Sequence, residues 1–196
     1  SDMEQQMFAL LDDIVSRSAK QNGTKPGGDI VTMLLKKRFL SSPFAFGMTL
    51  SHYVSSRIGR GLSEDEYDDI FGEGQPDEEE GLWEQDEAEK LRDSKASDPL
   101  VAAEPGQLES LMEWGLSYES RADSRLERLI GFLDAVCRPD GKTWSNERVV
   151  VFTEYAHTVD WLARVLNQRG YTDDRLAVVQ GSTAAEDRDY DFVGGT

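Results

Sequence analysis

The sequence predicts an α/β fold in which a helical region is followed by a partial parallel sheet with flanking helices. Over the first third of the chain, apolar residues recur at the three- and four-residue spacing of amphipathic helices. Two short β-branched apolar runs follow much later, at residues 149–152 and 176–179, with an amphipathic stretch between them. Because a continuous apolar run of this length is typical of a strand buried on both faces, this order predicts a strand–helix–strand unit with parallel strands.

Three helices are expected in the N-terminal region. The first carries an apolar stripe over residues 3–17. After a loop rich in Gly, Asp29 is a suitable N-cap for the second helix. Pro43 suits the first position of the third helix, which we expect to end near residue 58. The basic triplet at residues 36–38 is interpreted as a solvated face of the second helix.

An acidic segment separates the N-terminal helical region, residues 1–58, from a C-terminal part, residues 107–196. The formal net charge of the chain is −17, but residues 64–93 hold fifteen Asp and Glu against two Lys and Arg, which leaves about −4 for the remainder. Such a charge repels nucleic acid and anionic membranes at long range, yet here it belongs largely to one insert. Because apolar residues are sparse across residues 59–106, we expect this insert to be mobile.

The C-terminal part begins with two helical patterns. One starts near Gln107, and the next lies within the string SRADSRLERLIGFLDAV, which begins at Ser120. A Pro-Asp-Gly turn then precedes the first apolar run. The amphipathic stretch over residues 156–169 is expected to be a helix, and Gly170 is suited to end it.

The single cysteine and the absence of long apolar runs indicate the cellular compartment in which we expect the protein. One thiol, Cys137, cannot form an internal disulfide, which fits a reducing compartment. No apolar run is long enough to span a bilayer. We therefore expect a cytoplasmic protein with no membrane partner.

Small and polar residues gather at the ends of the two predicted strands, where open parallel sheets bind their ligands. The candidates are Thr153, Tyr155, His157, Gly181, Ser182 and Thr183. Both groups lead into predicted helix N-termini, whose N–H groups and dipole favour anions. The pattern suits the phosphates of a nucleic-acid backbone, although ordinary N-capping by Ser and Thr is the simpler explanation on physical grounds alone.

Chemical roles can also be considered for Arg188, His157 and Glu154. Arg188 follows the second strand end by one helical turn, where it can reach a phosphate or form a surface salt bridge. His157 has no Ser, Cys or carboxylate converging on it in sequence, so a surface or phosphate-contacting role is preferred to that of a base. No full set of metal ligands accompanies Glu154 in the sequence. Because the chain also lacks a Gly-Lys-Ser/Thr phosphate loop and an Asp-Glu-x-His sequence, it is expected neither to bind nor to hydrolyse ATP alone.

Three strings within residues 123–188 read DSRLERLIGFLDAV, ERVVVFTEYAHTVDWLARVL and LAVVQGSTAAEDR. In combination they resemble the start of the second RecA-like lobe of Swi/Snf-type superfamily 2 helicases. In that family a helix precedes a strand ending in Phe-Thr, a second helix follows, and a Gly-Ser-Thr turn precedes an arginine. The upstream string LLKKRFLSSPFAF is similar to the helical region between the lobes of large bacterial members of the family.

The resemblance implies a fragment of an ATP-dependent DNA helicase or translocase, with a partial RecA-like sheet. Its nucleic-acid contacts would be the residues that match the family motifs: Thr153, Tyr155, Gly181, Ser182, Thr183 and Arg188. Two positions depart from the pattern, since Ala185 replaces a polar residue and Arg125 replaces the usual Lys of the leading helix.

The resemblance also sets expectations for cofactors and partners. No cofactor is expected in this chain, whereas ATP and magnesium are implied for the full-length protein, with DNA as its partner. The missing first lobe and the rest of the second lobe would be further partners. A truncated sheet would expose an edge, so we expect either the N-terminal helices to cover it or a second copy to pair with it. The alternative function is a non-enzymatic interaction module whose acidic insert docks a partner or mimics nucleic acid.

Overall fold

A computed structural model describes residues 1–26, 30–57, 98–172 and 174–179. Within these ranges the chain is helical and contains no strand. The helices, numbered in chain order, are α1 (Asp2–Asn22), α2 (Ile30–Ser41), α3 (Pro43–Arg57), α4 (Gln107–Leu116), α5 (Ser124–Cys137) and α6 (Ala156–Gln168). Most of the predicted acidic insert lies outside the described residues.

The prediction of a partial RecA-like parallel sheet is wrong for the part of the chain that the structure describes. Residues 149–152 and 176–179 are irregular segments there, without a strand ladder. Val150 and Phe152 are 73% and 91% exposed. A run that is apolar on both faces forms a central strand only when neighbouring strands and covering layers are present, and the described residues supply no neighbouring strand to this run.

The six predicted helices that fall within the described residues are confirmed, and their ends have local causes. Helix α1 begins with a capping box, in which the Ser1 hydroxyl accepts from the Glu4 amide at 3.4 Å and the Glu4 side chain bonds back to the N-cap backbone. It ends at Gly23, whose φ of 67° is the left-handed conformation that glycine adopts without steric cost. Helix α5 is capped by Asp123, which accepts from the Leu126 amide at 2.7 Å.

Helices α1 to α4 enclose a first core cluster. Its buried members are Leu11, Ile14, Val15, Val31, Leu35, Phe39, Phe46, Leu50, Leu100, Leu111, Trp114 and Tyr118. Phe39 contacts two other aromatic rings of this cluster: its ring centroid lies 5.0 Å from that of Phe46 and 5.0 Å from that of Trp114. These rings join α2 and α3 to α4, which is distant from them in sequence, and burial of their apolar surface is the main force holding the helices together.

Two glycines allow α3 and α4 to cross at very close range. A Cβ atom added at Gly47 would lie 2.6 Å from the amide nitrogen of Leu116, and one added at Gly115 would lie 2.7 Å from the Cα atom of Gly47. The contacting atoms are backbone atoms, which cannot move aside as a flexible side chain can. The pair therefore fixes the distance between the two helices.

Residues 98–106, at the end of the predicted insert, pack against α1. Leu100 is fully buried in the first core cluster. The Arg17 guanidinium donates to the Ala102 carbonyl at 2.9 Å, and the Ala102 amide donates to the Ser18 hydroxyl at 3.0 Å. These hydrogen bonds bring the end of the insert back to the helical body.

Helices α5 and α6 form a second core cluster. Its buried members are Leu126, Ile130, Leu133, Trp161, Val165, Leu166 and Tyr171. The Trp161 indole N–H donates to the Tyr118 carbonyl at 2.7 Å, which ties α6 to the connection between α4 and α5. Phe44 packs against both clusters, so the two cores are joined at α3.

Candidate nucleic-acid interface

The candidate interface lies where the N-terminus of α6 meets the C-terminal end of α2. Thr153, Tyr155 and His157 stand within one turn of the start of α6, and each is partly buried. Tyr155 occupies the N-cap position with extended backbone angles, and no side chain caps the helix. Capping by Thr153, the simpler explanation offered by the sequence, is therefore not what the structure contains.

Tyr155 is held against α2 by a cation–π contact. The guanidinium carbon of Arg38 lies 3.9 Å from the centroid of the Tyr155 ring, and Arg38 is only 3% exposed. A guanidinium over an aromatic face at this distance is attractive, and more so when it is removed from water. The interpretation of the basic triplet as a solvated face is therefore wrong for Arg38, because its charge is buried under the motif.

Three hydroxyl groups make a second contact at the same place. Thr158 is buried, and its Oγ1 atom lies 2.8 Å from the Oγ atom of Ser41 and 3.2 Å from that of Ser42. Ser42 also accepts from the Ala45 amide at 3.0 Å, which orients its hydroxyl at the start of α3. We call the set Arg38, Ser41, Ser42, Tyr155 and Thr158 the α2–α6 junction.

The charges around the junction are partly neutralised. The Lys37 ammonium lies 3.4 Å from a Glu154 carboxylate oxygen, and both side chains are exposed, so this pair contributes little stability. Arg125 lies between helices: it pairs with Asp123 at 2.7 Å and donates to the carbonyls of Phe39 and Leu40. It thereby satisfies carbonyls at the end of α2 that have no partner within the helix.

A second group of charges lies at the other end of α6. The Tyr171 hydroxyl donates to Asp134 at 2.8 Å, and Arg138 pairs with the same carboxylate and donates to the Arg169 carbonyl. Burial raises the pKa of Tyr171, and the hydrogen bond to Asp134 raises it further, to about 12. Burial also acts to raise the pKa of Asp134, but hydrogen bonds from Arg138 and Tyr171 outweigh it and lower that pKa. The group closes the second core cluster.

The sequence-predicted site is brought together in part. Thr153, Tyr155 and His157 are neighbours at the start of α6, whereas Gly181, Ser182, Thr183 and Arg188 lie outside the described residues. Sequence reasoning missed the partners on α2, because Ser42 and Thr158 are 116 positions apart. The only local signal was the helix break at Ser42 and Pro43, which places polar groups at the end of α2.

The described residues offer no ligand set for the magnesium that the resemblance implies for the full-length protein. Among them, no three His, Cys, Asp or Glu side chains lie together as metal ligands. None of the described helices combines the length and the apolar character needed to cross a membrane.

Comparisons with family models, with curated proteins and with solved structures find no match to the chain.

Proposed function

We propose that the chain is a piece of an ATP-dependent DNA helicase or translocase of the Swi/Snf type, and that its part is to hold the nucleic-acid backbone at the start of α6. The sequence resemblance over residues 123–188 motivates this proposal. The observation that carries it is the grouping of Thr153, Tyr155 and His157 around one helix N-terminus, braced from behind by α2.

The electrostatics of this end of α6 favour an anion. The dipole of α6 places partial positive charge at its N-terminus, where no side chain caps the helix. The guanidinium of Arg38 is buried beneath Tyr155, in surroundings that screen its charge less than water does. Hydroxyl and imidazole groups at Thr153 and His157 then supply hydrogen-bond donors suited to phosphate oxygens.

The junction gives the N-terminal helices a role in the same function. Because Arg38 and Ser41 on α2 hold Tyr155 and Thr158, a displacement of α2 moves the start of α6. In a motor with two lobes, such bracing keeps the phosphate contact at a fixed position relative to the helices between the lobes. Tyr155 and Thr158 are held by packed helices, whereas Thr153 lies in the irregular segment before α6.

The test is binding of a short single-stranded DNA, measured by fluorescence anisotropy over a salt series. If the Arg38 guanidinium neutralises one phosphate, log K is expected to fall against log salt with a slope of about −0.7. Thr153→Ala is expected to weaken binding about tenfold, the order lost with one hydrogen bond to a charged group. Absence of binding at low salt would refute the proposal.

A matched pair of histidine variants sharpens the test. His157→Ala is expected to weaken binding, whereas His52→Ala on α3 removes the other histidine and is expected to leave binding unchanged. Equal effects of the two variants would show that the DNA does not contact the start of α6.

The alternative, a non-enzymatic interaction module, is favoured by one observation. Phe152 is almost fully exposed immediately before the motif, and exposed aromatic side chains of this kind mark protein contacts more often than phosphate contacts. A chain that binds no DNA at low salt but binds a protein partner through this residue would establish the module instead.

A further inference from the structure

The end of α2 lies between the starts of two other helices. Its side chains form the α2–α6 junction with the start of α6. Its main chain contacts the start of α5, where the Arg125 guanidinium donates to the carbonyl of Leu40 and, at 3.3 Å, to that of Phe39. Because a helix C-terminus carries partial negative charge and a helix N-terminus partial positive charge, the meeting of one C-terminus with two N-termini is electrostatically favourable.

Arg125 supplies hydrogen-bond donors that the sequence removes from α2. The Ser42 amide still donates to the Arg38 carbonyl at 3.0 Å, as in a regular helix. The amide of residue 43 would donate next, to the carbonyl of Phe39, but Pro43 has no N–H group. The two carbonyls that follow the last of these bonds are the ones that Arg125 reaches. A residue of α5 thus completes the end of a helix more than 80 positions earlier in the chain.

Arg125 is itself held by the cap of its own helix. Its Nε and Nη2 atoms lie 2.9 and 2.7 Å from Oδ2 of Asp123. The other carboxylate oxygen of Asp123 accepts from the Leu126 amide at 2.7 Å and caps α5. Although Arg125 is half-exposed, Asp123 is buried, and a planar guanidinium can bind this carboxylate and both carbonyls at once. The first turn of α5 is thereby fixed against the end of α2.

We propose that Arg125 is a positioning residue for the phosphate contact at the start of α6, an inference that rests on the proposed function. By holding the end of α2, Arg125 keeps Ser41 and Ser42 within hydrogen-bond distance of Thr158 in the first turn of α6. Its charge also offsets the partial negative charge of the α2 carbonyls, which opposes a phosphate bound nearby. Arg125 does not touch the phosphate and acts on it through α2.

The first test compares Arg125→Gln with Arg128→Gln in the binding of a short single-stranded DNA. Both changes remove one positive charge from α5, but Arg128 lies one turn further along and is exposed. Arg125→Gln is expected to weaken binding about tenfold, and Arg128→Gln by less than about twofold. Arg125→Lys keeps the charge but cannot reach the carboxylate and both carbonyls together, so its affinity is expected to lie between those of the wild type and Arg125→Gln. Equal weakening by the two glutamine variants shows that only net charge matters and overturns the proposal.

The second test is hydrogen exchange of the α6 amides, measured by NMR without DNA in the wild type and in both glutamine variants. The amides of Thr158 and Val159 donate to the Tyr155 carbonyl at 3.0 and 3.1 Å. In Arg125→Gln these two amides are expected to exchange about tenfold faster, while those in the last turn of α6 keep their rates. Arg128→Gln is expected to change neither end of the helix.

The pattern of exchange distinguishes positioning from general stabilisation. If both ends of α6 exchange faster by the same factor in Arg125→Gln, the residue contributes only to global stability, and the positioning role is refuted. Unchanged exchange at the start of α6 refutes it as well. A wild type that binds no DNA, with the start of α6 still loosened in Arg125→Gln, refutes the proposed function but upholds the bracing of α6 by Arg125. The two failures are therefore told apart by one set of variants.

Discussion

Replacing Gly47 by Ala is expected to destabilise the protein by forcing α3 and α4 apart. The new methyl group would lie 2.6 Å from the Leu116 amide nitrogen and 2.8 Å from the Gly115 carbonyl carbon. Carbon atoms in comfortable contact are about 3.5–4.0 Å apart, so the helices must separate by roughly 1 Å. The aromatic contact between Phe39 and Trp114 lies in the same core cluster and is expected to loosen with it.

The magnitude follows from two opposing terms. Overpacking a core typically costs about 1–3 kcal/mol, and the upper end applies here because backbone atoms meet the methyl group. Replacing Gly by Ala inside a helix gains about 1 kcal/mol of helix propensity. The free energy of unfolding is therefore expected to fall by about 2 kcal/mol. Gly131→Ala in α5 provides the control, since nothing lies within 4 Å of its added Cβ, and it is expected to gain about 1 kcal/mol.

Urea denaturation of the two variants, followed by circular dichroism and tryptophan fluorescence, measures the difference. The expected gap between them is about 3 kcal/mol in the free energy of unfolding, at similar m-values. The double variant Gly47→Ala/Gly115→Ala is expected to cost less than the sum of the single changes, because the first methyl group has already separated the helices. If Gly47→Ala is as stable as Gly131→Ala, the helices do not cross at the distance described, and the reasoning fails.

Three further outcomes are expected. Burial acts to raise the pKa of Glu4, but hydrogen bonds from the amino terminus and Ser124 lower it from 4.5 to about 2. Its stabilisation, at most about 3 kcal/mol, is complete above pH 4.5 and is lost as the pH falls towards 2; Glu4→Gln should remove this acid limb from a series of urea melts. The pKa of Tyr171, raised from 10.0 to about 12 by burial and Asp134, gives stability that is present below pH 10 and lost as the pH rises through 12. Spectrophotometric titration of Tyr171→Phe should lack the tyrosine that ionises near pH 12. Trp161→Phe leaves a carbonyl of the α4–α5 connection without its donor and is expected to cost about 1–3 kcal/mol by urea denaturation, whereas no loss would show that the indole hydrogen bond is dispensable.

The helices could be predicted because their signals are local. Apolar spacing placed α1 and α6, and two residues placed helix ends: Pro43 opens α3, and Gly170 adopts a φ of 89° just beyond α6. Each of these signals acts within a turn or two of the residue that carries it. The division into residues 1–58, 59–106 and 107–196 stays a prediction.

The strands could not be predicted in the same way, because a strand depends on partners that are remote in sequence. Residues 149–152 have the composition of a buried parallel strand, yet two of their side chains are among the most exposed apolar groups in the described ranges. The composition of a segment shows how much apolar surface it could bury. Whether it forms a strand also depends on whether other parts of the chain pack against it.

In the candidate site, too, the contacts of a single side chain depend on residues that are remote in sequence. The motif drew attention to Tyr155 as a residue for nucleic acid, but one face of its ring is taken by Arg38, whose charge is buried. Replacing Arg38 by Met keeps much of the volume and removes the charge. If phosphate binding depends on that charge, Arg38→Met weakens DNA binding and lowers its salt dependence while the fold persists. If Arg38 serves only to anchor Tyr155, the same change loosens the start of α6 and lowers the melting temperature, and DNA binding falls only in proportion to the unfolded fraction. The two roles are separated by measuring both quantities on one variant, because stability and salt slope respond to different parts of the same contact.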